Sequence, residues 1–282
     1  MAYSYLANPR ETRAVLERHG LLLKHRLGQN FLINDGVIGR ILALAELDAQ
    51  DVVYEVGPGI GTLTVAMLPR ARRVVAVEAD RTLPPVLAET CAHDGERLAL
   101  VQADALRVTP DEIEREAGEP PTKLVSNLPY QVAATVILGA FEHMPSIRRV
   151  VAMVQAEVAD RIAASPGTKA YGAYTAKLAL HGKVTGRFEV GPNNFMPPPH
   201  VDSAVVRIDR VSGDAHGDAA NAARVIDAAF AQRRKTIRNS MSANGFEKDA
   251  LDNAFVTADI DPRARAEHLS PQDFVRLARA LT

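Results

Sequence analysis

The feature that most constrains this chain is an alternation of short apolar runs with helical segments, which starts at Asp51. The run DVVYEVG (51–57) is rich in β-branched residues, and a glycine turn, a helical run and a second apolar run (72–79) follow it. Similar apolar runs recur at Leu98–Ala103, Lys123–Ser126 and Arg149–Gln155. Continuous apolar strands separated by helices predict an α/β fold, in which helices cover both faces of a parallel sheet.

The last third of the chain departs from this alternation. Two further strands, near Lys183–Val190 and Ser203–Arg210, are predicted to pair as an antiparallel hairpin at the sheet edge. The segment Ser212–Ala219 (SGDAHGDA) has the composition of a linker, and the residues beyond it have helical spacing. We therefore predict a first domain over residues 1–211, with an N-terminal helical extension over 1–45, and a helical C-terminal domain over 212–282.

Composition limits the class of protein. Of the 282 residues, 47% are apolar and 24% are charged, which is enough for a packed core and argues against disorder. A single cysteine, Cys91, excludes an internal disulfide, and no apolar run approaches the ~20 residues that a membrane span needs. We expect a soluble, cytoplasmic protein. The net charge of −1 hides a basic segment, Asn221–Ser240, with five basic residues and one acidic residue. A local basic face is sufficient for nucleic acid.

Three features stand at the carboxyl ends of predicted strands. Gly57, Gly59 and Gly61 follow the first strand, Glu78 ends the second, and Asp104 follows the third. Taken singly, each is equally well an ordinary turn or a helix cap. Together they lie where open α/β sheets bind ligands, and a carboxylate at the second strand suits the hydroxyls of a ribose. The set predicts a nucleoside cofactor. The spacing G-x-G-x-G does not match the G-x-G-x-x-G of dinucleotide sites.

A fourth motif, Asn127-Leu128-Pro129-Tyr130, follows the fourth strand. It is compatible with a simple turn that asparagine caps. It also suits a chemical task, because the exocyclic amine of adenine is a poor nucleophile whose lone pair is delocalised into the ring. The Asn127 amide oxygen and the Leu128 carbonyl can accept its two hydrogens, so that the nitrogen pyramidalises, while Tyr130 stacks on the base. A base held in this way must be unpaired or flipped out of its helix.

Five motifs together resemble the ribosomal RNA adenine N6-dimethyltransferases in order and spacing. They are GQNFL (28–32), EVGPGIG, VEAD, NLPY and NNFMPPPHVDSAV (193–205). The resemblance covers roughly Leu23 to Arg210 and implies a Rossmann-like class I methyltransferase sheet with a small C-terminal all-α domain, and S-adenosyl-L-methionine as cofactor. FAQRRKTIRNS (230–240) resembles the small-subunit (16S) branch, whose targets are two adjacent adenosines in a hairpin near the RNA 3′ end.

The resemblance also implies site residues. The cofactor would contact Asn30, Leu32, Gly57, Glu78, Asp104 and Asn127. The target base would contact Asn127, Leu128, Tyr130 and, on its other face, Phe195. RNA would contact a basic helix that carries Arg233, Arg234, Lys235 and Arg238. The implied reaction requires neither a metal nor a covalent nucleophile. The expected partner is small-subunit ribosomal RNA in an assembling subunit, and we expect a monomer without a membrane attachment.

Some positions depart from the family pattern, and alternative functions remain. Ala103 stands where glycine is frequent, Asn194 where serine is usual, and His200 where lysine is usual, which removes a fixed charge. One alternative is a large-subunit RNA methyltransferase of the macrolide-resistance type, and another is a non-catalytic ribosome-assembly factor. DNA adenine methyltransferases often carry aspartate and two prolines at the Asn127 motif. A nicotinamide dehydrogenase is disfavoured by the glycine spacing.

Overall fold

The computed structural model describes residues 2–21, 30–211 and 215–282, with the side chains of 215–217 excepted. Gly28 and Gln29 of the GQNFL motif, and Ser212–Asp214 of the predicted linker, lie outside these residues. The chain forms two compact units. Unit 1 consists of Met1–Ala159 and Val184–Asp209, and unit 2 consists of Asp160–Lys183 and Arg210–Thr282. Unit 2 thus includes 160–183, which the division at residue 212 assigns to the first domain.

The elements are numbered in chain order. The strands are β1 (Phe31–Leu32), β2 (Val52–Val56), β3 (Arg73–Glu78), β4 (Leu98–Gln102), β5 (Lys123–Asn127), β6 (Arg149–Gln155), β7 (Gly182–Val190), β8 (Phe195–Met196) and β9 (Ser203–Arg210). The helices are α1 (Pro9–Arg18), α2 (Asp35–Ala45), α3 (Thr62–Met67), α4 (Pro84–Thr90), α5 (Pro110–Ala117), α6 (Ala133–His143), α7 (Ala156–Ile162), α8 (Ala173–Ala179), α9 (Ala215–Phe230), α10 (Ile237–Ser242), α11 (Lys248–Ala258) and α12 (Pro271–Ala280).

Seven strands form the main sheet, in the order β4-β3-β2-β5-β6-β9-β7. Strands β2 to β6 pair in parallel, whereas β9 runs antiparallel to β6. Every residue of β2 is buried. Because successive side chains of a strand point to opposite faces, both faces of the sheet are covered there. The predicted α/β fold is confirmed, and the two late strands are neighbours at one edge.

The chain order of the strands positions a crevice. From β2 the chain continues through β3 to β4 on one side, and then crosses to β5 and β6 on the other side. The connections that leave β2 and β5 therefore diverge at the carboxyl ends of these neighbouring strands, which is where open α/β sheets bind ligands. A small second sheet fixes the segment before α2, because Leu32 of β1 pairs with Phe195 of β8.

Unit 2 has its own apolar core, which α8 to α12 share. Phe230, Phe274 and Phe255 are among its buried side chains, and the rings of Phe230 and Phe274 lie 5.9 Å apart. The linker prediction is wrong for 215–219, because α9 begins at Ala215. The alanine-rich sequence that follows has a high helix propensity and extends the helix toward its N-terminus. No helix in the described part of the chain is long and apolar enough to cross a membrane.

Candidate active site

A pocket of about 410 Å³ lies at the carboxyl ends of the parallel strands. This volume is within the range of small-molecule sites. Residues from all four predicted motifs line it, together with the segment around β1. The predicted residues that line it are Asn30, Leu32, Gly57, Glu78, Asp104, Asn127, Leu128 and Tyr130. The structure therefore brings together eight side chains or backbone positions from five separate segments.

The glycine turn between β2 and α3 brings two of these segments into contact. Gly57 has a positive φ of 67°, and its N–H donates to the carbonyl of Val77 at 2.9 Å. A methyl group placed on Gly57 would lie 3.1 Å from Cγ of Pro129. Glycine is thus required at this position both for its backbone conformation and for the close approach of the Asn127–Tyr130 segment.

Glu78 closes one end of the pocket from the tip of β3. Its side chain is buried, and its two oxygens accept backbone hydrogen bonds, from Gly59 N–H at 3.3 Å and from Asp80 N–H at 2.8 Å. Burial raises the pKa of Glu78 above its usual range, and the backbone hydrogen bonds oppose this shift. A carboxylate oxygen can accept more than one hydrogen bond, so both oxygens keep acceptor capacity toward the pocket.

Glu55, the first residue of the motif EVGPGIG, lines the pocket, although the sequence analysis gave it no role. It lies in β2, is buried, and accepts a hydrogen bond from Thr64 Oγ1 at 2.7 Å. Burial raises the pKa of Glu55 to about 8; the hydrogen bond from Thr64 opposes the rise, and the charge of Glu78 adds to it. An acid within the otherwise apolar run VVYEV is the signal that identifies it, since unpaired carboxylates are rare in buried strands.

Asp104 holds a turn, as one of its two predicted roles requires, and it also lines the pocket. Its Oδ1 accepts a hydrogen bond from Leu106 N–H at 2.9 Å and so holds the turn after β4. The residue is also exposed and lines the pocket. The neighbouring Ala103, which departs from the family pattern, lines the pocket as well. The second carboxylate oxygen of Asp104, Oδ2, lies 3.8 Å from Nε of Arg107, in an exposed ion pair.

Asn127 lies at the end of β5 with its amide oriented by one contact. Its Nδ2 donates to the backbone carbonyl of Asn30 at 3.4 Å. A carbonyl oxygen can only accept, so this contact leaves Oδ1 of Asn127 as an acceptor. Leu128 is buried, and its N–H donates to the carbonyl of Met153 at 3.1 Å. No residue in the described ranges donates a hydrogen bond to Asn127 Oδ1 or to the Leu128 carbonyl, so these two neighbouring acceptors are available to a ligand.

Tyr130 forms part of the pocket wall next to these acceptors. The residue is half-buried, and its hydroxyl is 2.7 Å from Oγ of Ser203, at the start of β9. Burial raises the pKa of Tyr130, and the hydrogen bond with Ser203 opposes this shift. The ring is therefore neutral at physiological pH and is tied to a strand that the chain reaches only 73 residues later.

The structure does not support the predicted role of Phe195. Its side chain is only 1% exposed, packs within the apolar core of unit 1, and is not among the residues that line the pocket. Its backbone pairs with that of Leu32. A ring without an open face cannot stack on a base, so Phe195 anchors the loop that precedes His200. His200 itself is exposed, and Asn194 accepts a hydrogen bond from Asn34 at 2.8 Å.

The basic segment of unit 2 also differs from the prediction. Arg233, Arg234 and Lys235 are exposed in a turn between α9 and α10, and not on a helix. Arg238 does lie on a helix, α10, but its guanidinium forms an ion pair with Asp252 at 2.5 Å. None of the three turn residues forms an ion pair with any residue in the described parts of the chain. The free positive charge of this segment is thus concentrated in the turn.

The strand order and the pocket at the carboxyl ends of the parallel strands define a Rossmann-like methyltransferase. The chain is similar to a dimethyladenosine transferase from Plasmodium falciparum, with a TM-score of 0.74 and 25% identity over 88% of this chain and 95% of that one. It is also similar to the 23S rRNA methyltransferase ErmE, with a TM-score of 0.66 and 25% identity over 89% of this chain and 99% of that one.

The family model described as ribosomal RNA adenine dimethylase matches residues 20–282, and the chain belongs to this family. A curated relative in Corynebacterium diphtheriae, named Ribosomal RNA small subunit methyltransferase A, is 42% identical over 99% of this chain and 96% of its own length. A relative of the same name in Rhodococcus erythropolis is 44% identical over 97% of this chain and 93% of its own length.

Proposed function

We propose that this protein transfers methyl groups from S-adenosyl-L-methionine to N6 of two adjacent adenosines in the 3′-terminal hairpin of small-subunit ribosomal RNA. Membership of the adenine dimethylase family and the names of the relatives support a small-subunit target. The identity to the 23S rRNA enzyme is lower, 25% against 42–44%, which favours the small subunit over the large one. The substrate is an assembling subunit in the cytoplasm, on which the protein acts as a monomer.

The observation that carries this proposal is the pair of open acceptors at Asn127 Oδ1 and the Leu128 carbonyl. Two neighbouring acceptors that have no donor among the described residues match the two hydrogens of an exocyclic amine. Leu128 is buried, and a buried carbonyl group is rarely left without a donor, so its carbonyl supports a ligand that donates a hydrogen bond. An aromatic ring, Tyr130, lies beside them in the same pocket wall.

The rest of the pocket fits a nucleoside cofactor. The Glu78 oxygens keep acceptor capacity for the two hydroxyls of a ribose. The Asp104 Oδ2, which is 3.8 Å from Nε of the exposed Arg107, can in addition accept from the amino group of an adenine. The turn at Gly57 presents backbone rather than side chain to the ligand, as a close approach requires. When bound, S-adenosyl-L-methionine supplies a methyl group on a positively charged sulfur.

The protein's own residues then act by positioning and hydrogen bonding. Asn127 Oδ1 and the Leu128 carbonyl accept the two amine hydrogens, which directs the nitrogen lone pair away from the ring. S-adenosyl-L-methionine, which Gly57, Glu78 and Asp104 would hold, would supply the methyl carbon to this nitrogen and would keep the electron pair of the broken carbon–sulfur bond on its sulfur. The methylated nitrogen then releases one proton to solvent water. Neither acceptor is a base. Catalysis therefore rests on the alignment of the nitrogen with the methyl carbon and on electrostatic stabilisation of the charge that develops in the transition state.

The turn residues Arg233, Arg234 and Lys235 supply affinity for RNA phosphates. Their exposure and their lack of acidic partners among the described residues support this assignment. Arg238 contributes less than the sequence motif implies, because Asp252 already neutralises it. Phosphate contacts add affinity without base specificity, and the choice of adenosine rests with the pocket.

The test is methyl transfer to small subunits from cells that lack this modification. The purified protein is incubated with these subunits and with labelled S-adenosyl-L-methionine, and the modified nucleotides are mapped. We expect label on N6 of two adjacent adenosines in the 3′-terminal hairpin. Label on cytosine, or on a nucleotide far from this hairpin, would contradict the proposal. Transfer to large subunits alone would identify the macrolide-resistance activity, and binding without transfer would identify an assembly factor.

A further inference from the structure

Ser203 is a buried polar residue within the motif NNFMPPPHVDSAV (193–205); it does not line the pocket, and the resemblance gives it no role in the reaction. It is 0% exposed, and its Oγ lies 2.7 Å from the hydroxyl of Tyr130. Its position is fixed by the sheet, because it is the first residue of β9 and pairs with Gln155 of β6. The preceding residue, Asp202, accepts a backbone hydrogen bond from Ala156 at 2.9 Å. Ser203 is thus a rigid anchor.

Tyr130, by contrast, lies on an irregular segment between β5 and α6. Its bond to Ser203 is the only polar contact of its side chain with any residue that the structure describes. The segment has one internal backbone hydrogen bond, from Val132 N–H to the Pro129 carbonyl at 3.1 Å. The orientation of the ring in the pocket wall therefore depends on the anchor at Ser203.

The two successive methyl transfers differ in how the target amine is held. Before the first transfer the amine has two hydrogens, and both Asn127 Oδ1 and the Leu128 carbonyl can accept one. After it, the amine has one hydrogen and one methyl group, so only one of the two acceptors can bind it. The base must then be oriented more by stacking on Tyr130 and less by hydrogen bonds.

We propose that Ser203 is a positioning residue for the second methyl transfer, because it fixes the ring of Tyr130 against which the monomethylated base is aligned. This inference rests on the proposed function. In each transfer the nitrogen gains a bond to carbon, the carbon–sulfur bond breaks toward sulfur, and one proton leaves to water. Ser203 takes no part in these bond changes and acts only through Tyr130.

The test compares the two rate constants in the full-length Ser203→Ala variant. Unmethylated small subunits are incubated with the protein, and N6-monomethyladenosine and N6,N6-dimethyladenosine are quantified over time by mass spectrometry. We expect the rate constant of the second transfer to fall about fivefold, the factor that corresponds to one neutral hydrogen bond, and that of the first about twofold or less. Monomethyladenosine should therefore accumulate in the variant.

Tyr130→Phe removes the same hydrogen bond from its other side and keeps the aromatic ring. It should reproduce the change in product ratio, and the double variant should show no further change. If Ser203→Ala does not fold, Tyr130→Phe alone decides the result. Thr175→Val is a matched control, because it removes a similarly buried hydroxyl that donates to the Arg161 carbonyl in unit 2. Its product ratio should equal that of the wild type.

The outcomes separate this inference from the proposed function. An unchanged product ratio in the Ser203 and Tyr130 variants, or an equal fall of both rate constants, would overturn the positioning role. Absence of methyl transfer by the wild-type protein would instead overturn the proposed function. Calorimetric titration with S-adenosyl-L-methionine should give the same affinity for wild type and Ser203→Ala, since Ser203 does not line the pocket.

Discussion

The two ends of strand β2 carry buried carboxylates in opposite environments. At the amino end, Asp51 is 0% exposed and contacts Lys123 Nζ at 2.7 Å and the guanidinium of Arg148. Burial by itself would raise the pKa of Asp51, but hydrogen bonds from Lys123, from a backbone N–H and from Thr122 outweigh it and lower the pKa. At the carboxyl end, Glu55 has no cationic partner in the described part of the chain, and burial raises its pKa to about 8.

This difference shows which end of the sheet is built for stability and which for a ligand. A buried charge that is paired and hydrogen-bonded within the protein is already compensated, so it needs no contact with solvent or ligand. Carboxyl and carbonyl groups that are buried without partners lower the stability of the free protein, and they cluster where a ligand supplies the missing contacts. The pocket contains two buried carboxylates, Glu55 and Glu78, that have no cationic partner among the described residues, whereas ion pairs close the opposite end of the sheet.

The largest effect of a single change is expected at Asn127. Asn127→Ala removes one of the two acceptors that we propose for the target amine, and the loss of one such group costs about 10² to 10³ in kcat. Its effect on cofactor affinity should stay within about tenfold, or ~1.4 kcal/mol. Single-turnover methyl transfer and calorimetric titration measure the two quantities.

Asn253→Ala, a change of the same type on the exposed side of α11, serves as the control and should retain full turnover. Turnover of Asn127→Ala within a factor of two of the wild type would mean that the carboxyl end of the sheet does not hold the amine in this way.

A change at the opposite end should act on stability instead. Lys123→Met leaves the Asp51 carboxylate without its buried cation and should lower the free energy of unfolding by about 3 kcal/mol, the lower limit for a broken buried pair, because the half-exposed Arg148 remains. Urea unfolding measures it. Since the pKa of Asp51 is lowered by folding, its contribution is present at neutral pH and is lost as the pH falls through the folded pKa.

Lys177→Met is the matched control, because Lys177 pairs with the exposed Asp227 at 2.8 Å. An exposed pair contributes at most about 1 kcal/mol. If the free energy of unfolding fell equally in the two lysine variants, the buried pair would contribute no more to stability than the exposed one, and the prediction would be wrong.

Glu55 should show the reverse dependence on pH. Folding raises its pKa from 4.5 to about 8, so the folded protein holds a proton that the unfolded chain releases. The contribution of Glu55 to the free energy of unfolding therefore falls as the pH rises from about 4.5 to about 8. Glu55→Gln should remove that fall and raise the free energy of unfolding at pH 8 by on the order of 2 kcal/mol, with little change at pH 4.5.

Urea unfolding at both pH values, without ligand, provides the measurement. The exposed Glu116→Gln is the control and should leave the pH dependence as it is in the wild type. A Glu55→Gln variant that is destabilised equally at both pH values would contradict a buried, protonated acid at this end of β2.

The residues that meet at the carboxyl end of the sheet are largely predictable from the sequence, because they follow local patterns, whereas Glu55 and the pairing of Asp51 with Lys123 were not predicted. Apolar runs located β2 to β6, and the motifs at their carboxyl ends indicated Glu78, Asp104 and Asn127 as neighbours before any contact was known. The parallel arrangement itself brings these positions together, so short-range patterning is sufficient. The structure bears this out in the pocket lining.

Contacts between distant segments could not be predicted in this way. Phe195 is buried because β8 pairs with β1, far earlier in the chain, and no local pattern indicates which face of a short strand the core will cover. The hydroxyl of Ser203 reaches Tyr130 for a similar reason. In the basic segment a local signal was available, since Thr236 caps α10 through the N–H of Asn239 and so separates the turn from the helix.

The smallest effect concerns the same contrast between paired and unpaired charges, in unit 2. Arg233 and Arg234 are exposed in the turn, whereas Arg238 is paired with Asp252. Each phosphate contact adds about 0.7 to 0.9 to the slope of log K against log salt concentration. A double Arg233→Ala and Arg234→Ala variant should therefore lower the slope for small-subunit binding by about 1.5. Arg238→Ala should lower it less, because Asp252 already neutralises that guanidinium. If the two variants changed the slope equally, the ion pair between Arg238 and Asp252 would have to open when RNA binds. The ion pairs of the free protein would then not predict which basic side chains contact RNA phosphates.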